Sequence, residues 1–162
     1  MFKTQSGRDI TYFGEDYGNG IKRNTEKSSN RINTLNELFE VLLKAWVRET
    51  AYPSAQKDPE YNKENDPTYG QCAITATLVY DMFGGTIHKI KVDGGGTHYF
   101  NKIDGYYIDL TRDQFDLYSI PINYEPNIEI SREYCGKNVD TLKRFNLLKE
   151  RIAEMLEENR KI

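Results

Sequence analysis

Between residues 69 and 115 the chain offers three side chains in an order that can perform acyl chemistry. Cys72 lies in Tyr69-Gly70-Gln71-Cys72-Ala73, where a helix is expected to begin. His98 follows a glycine run, Gly94-Gly95-Gly96-Thr97-His98, and Asp109 sits in Ile108-Asp109-Leu110-Thr111. A thiol, an imidazole and a carboxylate can act as nucleophile, base and orienter. A helix start suits the cysteine, because free backbone N–H groups and the helix dipole favour the thiolate, which is the reactive form. The same N–H groups can stabilise an oxyanion, with the Cys72 amide as natural donor and Gln71 or Tyr69 as a second. Trp46 is expected in the core or the groove wall, and Asn101 rivals Asp109 as third member. Both are carried as substrate-side candidates.

The elements around these residues decide whether they can meet. Asp104-Gly105 is a two-residue hairpin signal between strands expected at 97–103 and 106–110. In that register Ile103 faces Tyr106, Phe100 faces Asp109 and His98 faces Thr111. Facing and alternate residues share a side, so His98 and Asp109 lie on one face as diagonal neighbours. Diagonal Cα atoms are roughly 7–8 Å apart, within reach of an imidazole–carboxylate hydrogen bond. Asn101 falls on the opposite face, and a slip of one residue would reverse that assignment.

Thr34-Leu35-Asn36-Glu37 has the capping-box form, and Leu35, Leu38, Phe39, Leu42, Ala45 and Trp46 recur at helical spacing. This predicts a helix over 34–50. Residues 51–69 are polar, contain Pro53, Pro59 and Pro67, and read as a structureless loop of the kind that serves as a lid, a binding loop or a disordered insert. A second helix from Gln71 carries Ile74, Ala76, Leu78, Val79, Met82 and Phe83 around most of its circumference and ends at Gly84-Gly85. That pattern predicts a buried central helix. A strand is expected at 87–92, irregular chain at 116–137, and a final amphipathic helix at 141–159. The order is α+β, with the cysteine-bearing helix packed on a small antiparallel sheet. Residues 1–33 read as a polar arm or small hairpin, and 34–162 as one domain.

Composition narrows the function classes. A formal net charge of −3 over 162 residues, with no basic stripe, argues against a nucleic-acid partner. No apolar run approaches the length of a membrane span, and the N-terminus lacks a signal-peptide core, so the expectation is cytoplasmic. Two cysteines, Cys72 and Cys135, are too few for a disulfide scaffold or a zinc cluster. His88 and His98 lack ligand spacing, so no metal and no cofactor are expected. Each residue has a plainer role to set beside the chemical one. A buried cysteine is commonly a small hydrophobe, His88 on its strand reads as structural, and Asp109 can simply cap the Thr111 turn. The conjunction of the three is what favours chemistry.

The order of Cys72 on a helix, then His98 and Asp109 on successive strands, resembles the papain-like superfamily in its transglutaminase-like form. Papain's oxyanion glutamine lies several residues before its cysteine, whereas Gln71 is adjacent. More closely, Gly70-Gln71-Cys72-Ala73-Ile74-Thr75-Ala76, Gly84-Gly85, Thr97-His98-Tyr99-Phe100-Asn101, Ile108 to Phe115 and Thr141 to Lys149 are similar to the bacterial YunG family. The resemblance implies a papain-like core and a cysteine enzyme acting on an amide, ester or thioester carbonyl of a protein, peptide or small molecule. Two other readings are a non-enzymatic binding module of the same shape and a redox pair, Cys72 with Cys135, although no CxxC supports the pair.

Overall fold

The structure is a computed structural model that describes residues 2–22, 32–93, 96–135 and 137–160. Phe2–Lys3 (β1) and Asp9–Ile10 (β2) pair antiparallel, and a single helical turn, Glu15–Gly18 (α1), follows. The sequence looks polar here, yet Ile10, Tyr12, Ile21 and Ile32 are buried in the main core. The Phe2 and Tyr12 rings both pack at 5.0 Å from Phe39. The hairpin is therefore laid on the protein's core; residues 23–31 lie outside the described part.

Leu35–Ala45 (α2) starts at Thr34, whose hydroxyl accepts from the Glu37 amide, as the capping box requires. It stops at Ala45, short of the expected 50, because Trp46 turns extended and a 3-10 turn takes Arg48–Thr50. The connector expected to be structureless is ordered. Pro53 opens a short helix, Pro53–Gln56 (α3), and Ala51, Ala55, Asp66 and Thr68 are buried. Cys72–Phe83 (α4) is the central helix and buries eight of its residues.

Thr86–Lys91 (β3), Thr97–Ile103 (β4) and Tyr106–Ile108 (β5) form antiparallel pairs, and the β4–β5 register sets Ile103 against Tyr106 and Asn101 against Ile108. Asp104 and Gly105 both have positive φ, at 51° and 85°, as a two-residue turn between twisted strands demands. After the short helix Asp113–Asp116 (α5), the stretch expected to be irregular supplies a fourth strand, Ile128–Ile130 (β6), and a turn of helix, Arg132–Cys135 (α6). Three residues are too few to show alternation in sequence. The sheet order is β5-β4-β3-β6, and α4 packs on β4. The final helix, Val139–Arg160 (α7), lies against α4 and α2 through Phe145, Leu148, Ile152 and Leu156. The architecture is α+β with a small antiparallel sheet. No helix among the described residues is long and apolar enough to cross a membrane.

A buried polar cluster fastens the N-terminal hairpin to the rest. Arg8 holds both carboxylate oxygens of Asp113, at 3.0 and 2.7 Å, and Tyr118 donates to Asp66 at 2.9 Å. The other Asp66 oxygen is buried without a hydrogen bond. Burial, reinforced by the nearby Asp113 charge, raises Asp66 from 3.8 to about 6 against the opposing Tyr118 bond and Arg8. A pKa raised by folding gives stability that is full below about 3.8 and lost as pH rises through about 6. Asp66→Asn should therefore raise Tm at pH 7 more than at pH 4. Each net 1 kcal/mol is worth about 2–4 °C in a chain of this size. Equal shifts at the two pH values in thermal melts would refute the charge argument.

Candidate functional site

The approach to Cys72 is built from a turn that only glycine fits well. Gly70 has φ +76°, and a Cβ there would sit 2.7 Å from the Ala55 Cβ. The turn thereby lies close on α3, with Tyr52 N donating to Gly70 O at 2.8 Å. Cys72 is the first residue of α4 and is half-buried, and no side chain caps this helix end. Its first amides are thus free of side-chain competition for an anion.

His98 is 1% exposed on β4, with the Phe115 ring edge-on at 4.7 Å. Its Nε2 and Asp109 Oδ2 are 2.7 Å apart. The same Oδ2 accepts from Tyr124 at 2.8 Å, and Oδ1 accepts from the Thr111 amide at 3.1 Å and hydroxyl at 3.3 Å. Arg112 in turn donates to the Tyr124 hydroxyl at 3.0 Å. Asp109 is thus fixed by every oxygen lone pair that could let it swing. Its backbone has left β5 and bridges Phe13, with N–H···O distances of 3.1 and 3.0 Å in the two directions. The approach of this segment depends on Gly14, where a Cβ would lie 2.5 Å from Ile108 Cδ1.

The remaining ring nitrogen of His98, Nδ1, is buried and lacks a partner of ordinary hydrogen-bond geometry. Cys72 nevertheless interacts with the ring closely enough to help hold its proton. Hydrogen bonds between catalytic groups often tighten only when substrate arrives. Burial disfavours the imidazolium, but the Asp109 charge, the Asp109 hydrogen bond and the Cys72 interaction outweigh it and raise His98 well above its ordinary 6.5. Burial, with the Asp109 charge behind it, drives the Tyr124 phenol upward, so it remains a donor.

The other sequence candidates are placed differently. Gln71 is fully buried and turned away from the thiol, accepting from Thr50 at 2.8 Å and donating to Val47 O at 3.0 Å. Trp46 is also fully buried and gives its indole N–H to Thr75 at 2.9 Å. Asn101 ties β4 to α4 by donating to Ala76 O at 2.9 Å. These three brace the scaffold and are not among the residues that border the pocket beside Cys72. Tyr69 does border it, with its hydroxyl given to Asp58 at 3.0 Å. His88 has both nitrogens engaged, by Thr86 at 2.7 Å and Asn127 at 2.8 Å. No group of three acidic, histidine or cysteine side chains among the described residues is placed to hold a metal.

Sequence reasoning missed Tyr124 and Arg112, the carboxylate's outer partners, and no local pattern marks either. The cavity beside Cys72, of about 750 Å³, is bordered by Tyr52, Tyr69, Tyr99, Tyr134, Cys135 and Arg144 among others. Cys135 is 6% exposed, and burial raises its thiol above 9.0 while a Thr77 hydrogen bond pulls the other way.

A family model described as YunG protein matches residues 34–157. The chain belongs to the YunG family. "Uncharacterized protein YunG" of Bacillus subtilis (strain 168) is 44% identical over 70 residues, which is 43% of this chain and 56% of that protein. The alignment thus spans about half of that relative's length. No solved structure matches. In this YunG-family chain the matched span holds Cys72, His98, Asp109, Arg112 and Tyr124, while Phe13 and Gly14, which brace Asp109, precede it.

Proposed function

We propose that this YunG-family protein is a cysteine-dependent acyl enzyme with a papain-like or transglutaminase-like core. The observation that carries the reading is the buried His98, which has one nitrogen on Asp109 and the other unpartnered beside Cys72. Cys72 Sγ attacks a carbonyl carbon of an amide, ester or thioester, and the C=O pair moves onto oxygen. Backbone N–H groups at the start of α4 receive that oxyanion. The tetrahedral intermediate collapses, the carbon–leaving-group bond breaks, and His98 gives the leaving group its proton. Water, or an amine in transfer, then attacks the thioester, His98 takes its proton, and the thiolate departs. Asp109 holds the ring, and Tyr124 with Thr111 holds Asp109.

The raised His98 pKa gives this reading a pH signature, because the imidazolium persists past neutrality beside the proposed nucleophile. Alkylation of Cys72 by iodoacetamide should change less than about threefold between pH 6 and 8, whereas an ordinary thiol of pKa 8.5 speeds up about 80-fold. Mass spectrometry should place the label on Cys72 and leave the buried Cys135 untouched. His98→Ala should restore the steep rise. A steep wild-type profile indifferent to His98 would leave the cleft as a non-enzymatic binding site.

A further inference from the structure

The pocket's charge does not match the chain's. The sequence has 25 acidic and 22 basic residues. Among the described residues bordering the Cys72 pocket there is no aspartate or glutamate, and the charged ones are Lys137 and Arg144. Arg144 is 3% exposed, an uncommon place for a guanidinium. It is held by Asp140 at 2.9 Å through Nε, Thr50 O at 3.0 Å through Nη1 and Thr141 at 3.4 Å through Nη2. The Tyr52 ring lies 5.7 Å from its carbon. Three of its five N–H bonds are thereby used, leaving one on each terminal nitrogen. Those two N–H bonds remain for a charge-assisted hydrogen bond to an oxyanion. Asp140 offsets part of the charge, but its side chain is 47% exposed and shares itself with water. Lys137 stands exposed at the pocket's edge with no ion pair among the described residues. A purely structural Arg144 would clamp α7 to the 3-10 turn at Thr50. That role accounts for the bonds it makes, but not for its place on the cavity wall or for the missing acidic residues.

Resting on the acyl-enzyme reading, we propose that the acyl donor is a small anionic molecule whose carboxylate or phosphate docks on Arg144, with Lys137 drawing it in, while its carbonyl meets Cys72. The tyrosine walls, Tyr52, Tyr69, Tyr99 and Tyr134, then enclose the segment between the two ends. Arg144 acts on substrate selection, so its loss should weaken discrimination and leave the thiol's own reactivity in place.

The test compares three phenyl thioesters of equal acyl length, ending in a carboxylate, a carboxamide or a phosphonate. Acylation of Cys72 is followed by intact mass, with iodoacetamide labelling run alongside. The carboxylate or phosphonate donor should acylate about 10–100 times faster than the neutral one, the range expected of a charge-assisted hydrogen-bonded pair. The faster of the two names the group. Arg144→Met should bring that ratio near unity with iodoacetamide labelling unchanged, Arg144→Lys should keep part of it, and Lys137→Ala should lower it a few-fold. If Arg144→Met does not fold, Lys137→Ala and the wild-type loss of the ratio at high salt decide the question. Equal rates for the charged and neutral donors, or a ratio untouched by these changes, overturns the proposal while the acyl-enzyme reading stands. No acylation by any donor overturns both, and slow labelling by iodoacetamide overturns the acyl-enzyme reading itself.

Discussion

Asparagine in place of Asp109 should leave the protein folded and lower acyl turnover by about 10⁴-fold, the loss seen when a protease triad's aspartate is changed the same way. Cys72 alkylation at pH 6 should fall about a hundredfold, toward the rate of an ordinary thiol. The reason is in the donors around the carboxylate. Oδ1 takes the Thr111 amide and hydroxyl, and an asparagine carbonyl can replace it there. Oδ2 takes His98 Nε2 at 2.7 Å and Tyr124 at 2.8 Å, and an amide nitrogen in that place offers protons where acceptors are needed. His98 must then accept at Nε2 and carry its proton on Nδ1, facing Cys72, so it can no longer act as the base. The charge that offsets burial of the imidazolium is also gone. Circular dichroism and a melt check the fold, and the pH–rate profile of alkylation checks the chemistry. A variant with an unchanged profile would show that Asp109 only caps the Thr111 turn.

That pairing was legible because a single local signal governs it. Asp104-Gly105 makes a tight turn, the turn sets the register as far as Ile108, and Asp109 one residue beyond meets His98. The buried helix from Cys72 was legible for a similar reason, since apolar residues around most of its circumference and a closing glycine pair are local facts. What could not be read depends on distant chain. Tyr124 is one of 12 tyrosines and reaches Asp109 from a stretch with no period. Phe13 pairs with Asp109 from a segment whose composition looks like solvent-exposed chain. Gln71 sits beside the thiol in sequence, but Thr50 and Val47 turn its side chain into the scaffold, and nothing within a few residues announces them. Trp46 continues the apolar period of α2 while the backbone leaves the helix, since no glycine or proline marks the end and tertiary burial decides it.

Trp46 also carries the largest stability prediction. Its side chain is fully buried, lies edge-on to Phe39 at 6.1 Å, and donates to Thr75 at 2.9 Å, one turn along α4 from Cys72. Trp46→Ala removes the ring's packing and leaves a cavity, which should cost about 3–5 kcal/mol, with the orphaned Thr75 hydroxyl adding to the upper end. Against a total of about 5–15 kcal/mol, such a loss brings the protein near its unfolding threshold, and the urea midpoint should fall accordingly. Trp46→Phe keeps a six-membered ring but loses the N–H and three buried heavy atoms, so a loss of about 2–3 kcal/mol, smaller than that of Trp46→Ala, is expected. Both variants lose the hydrogen bond to Thr75, so the difference between them measures the packing of the ring. The pair also separates scaffold from substrate wall, because Trp46→Phe should leave Cys72 alkylation and donor preference as they are in the wild type. A Trp46→Ala protein that loses less than about 1 kcal/mol would mean the core can close over the gap. In that case the tie from the end of α2 to the cysteine helix would not be what sets the position of Cys72.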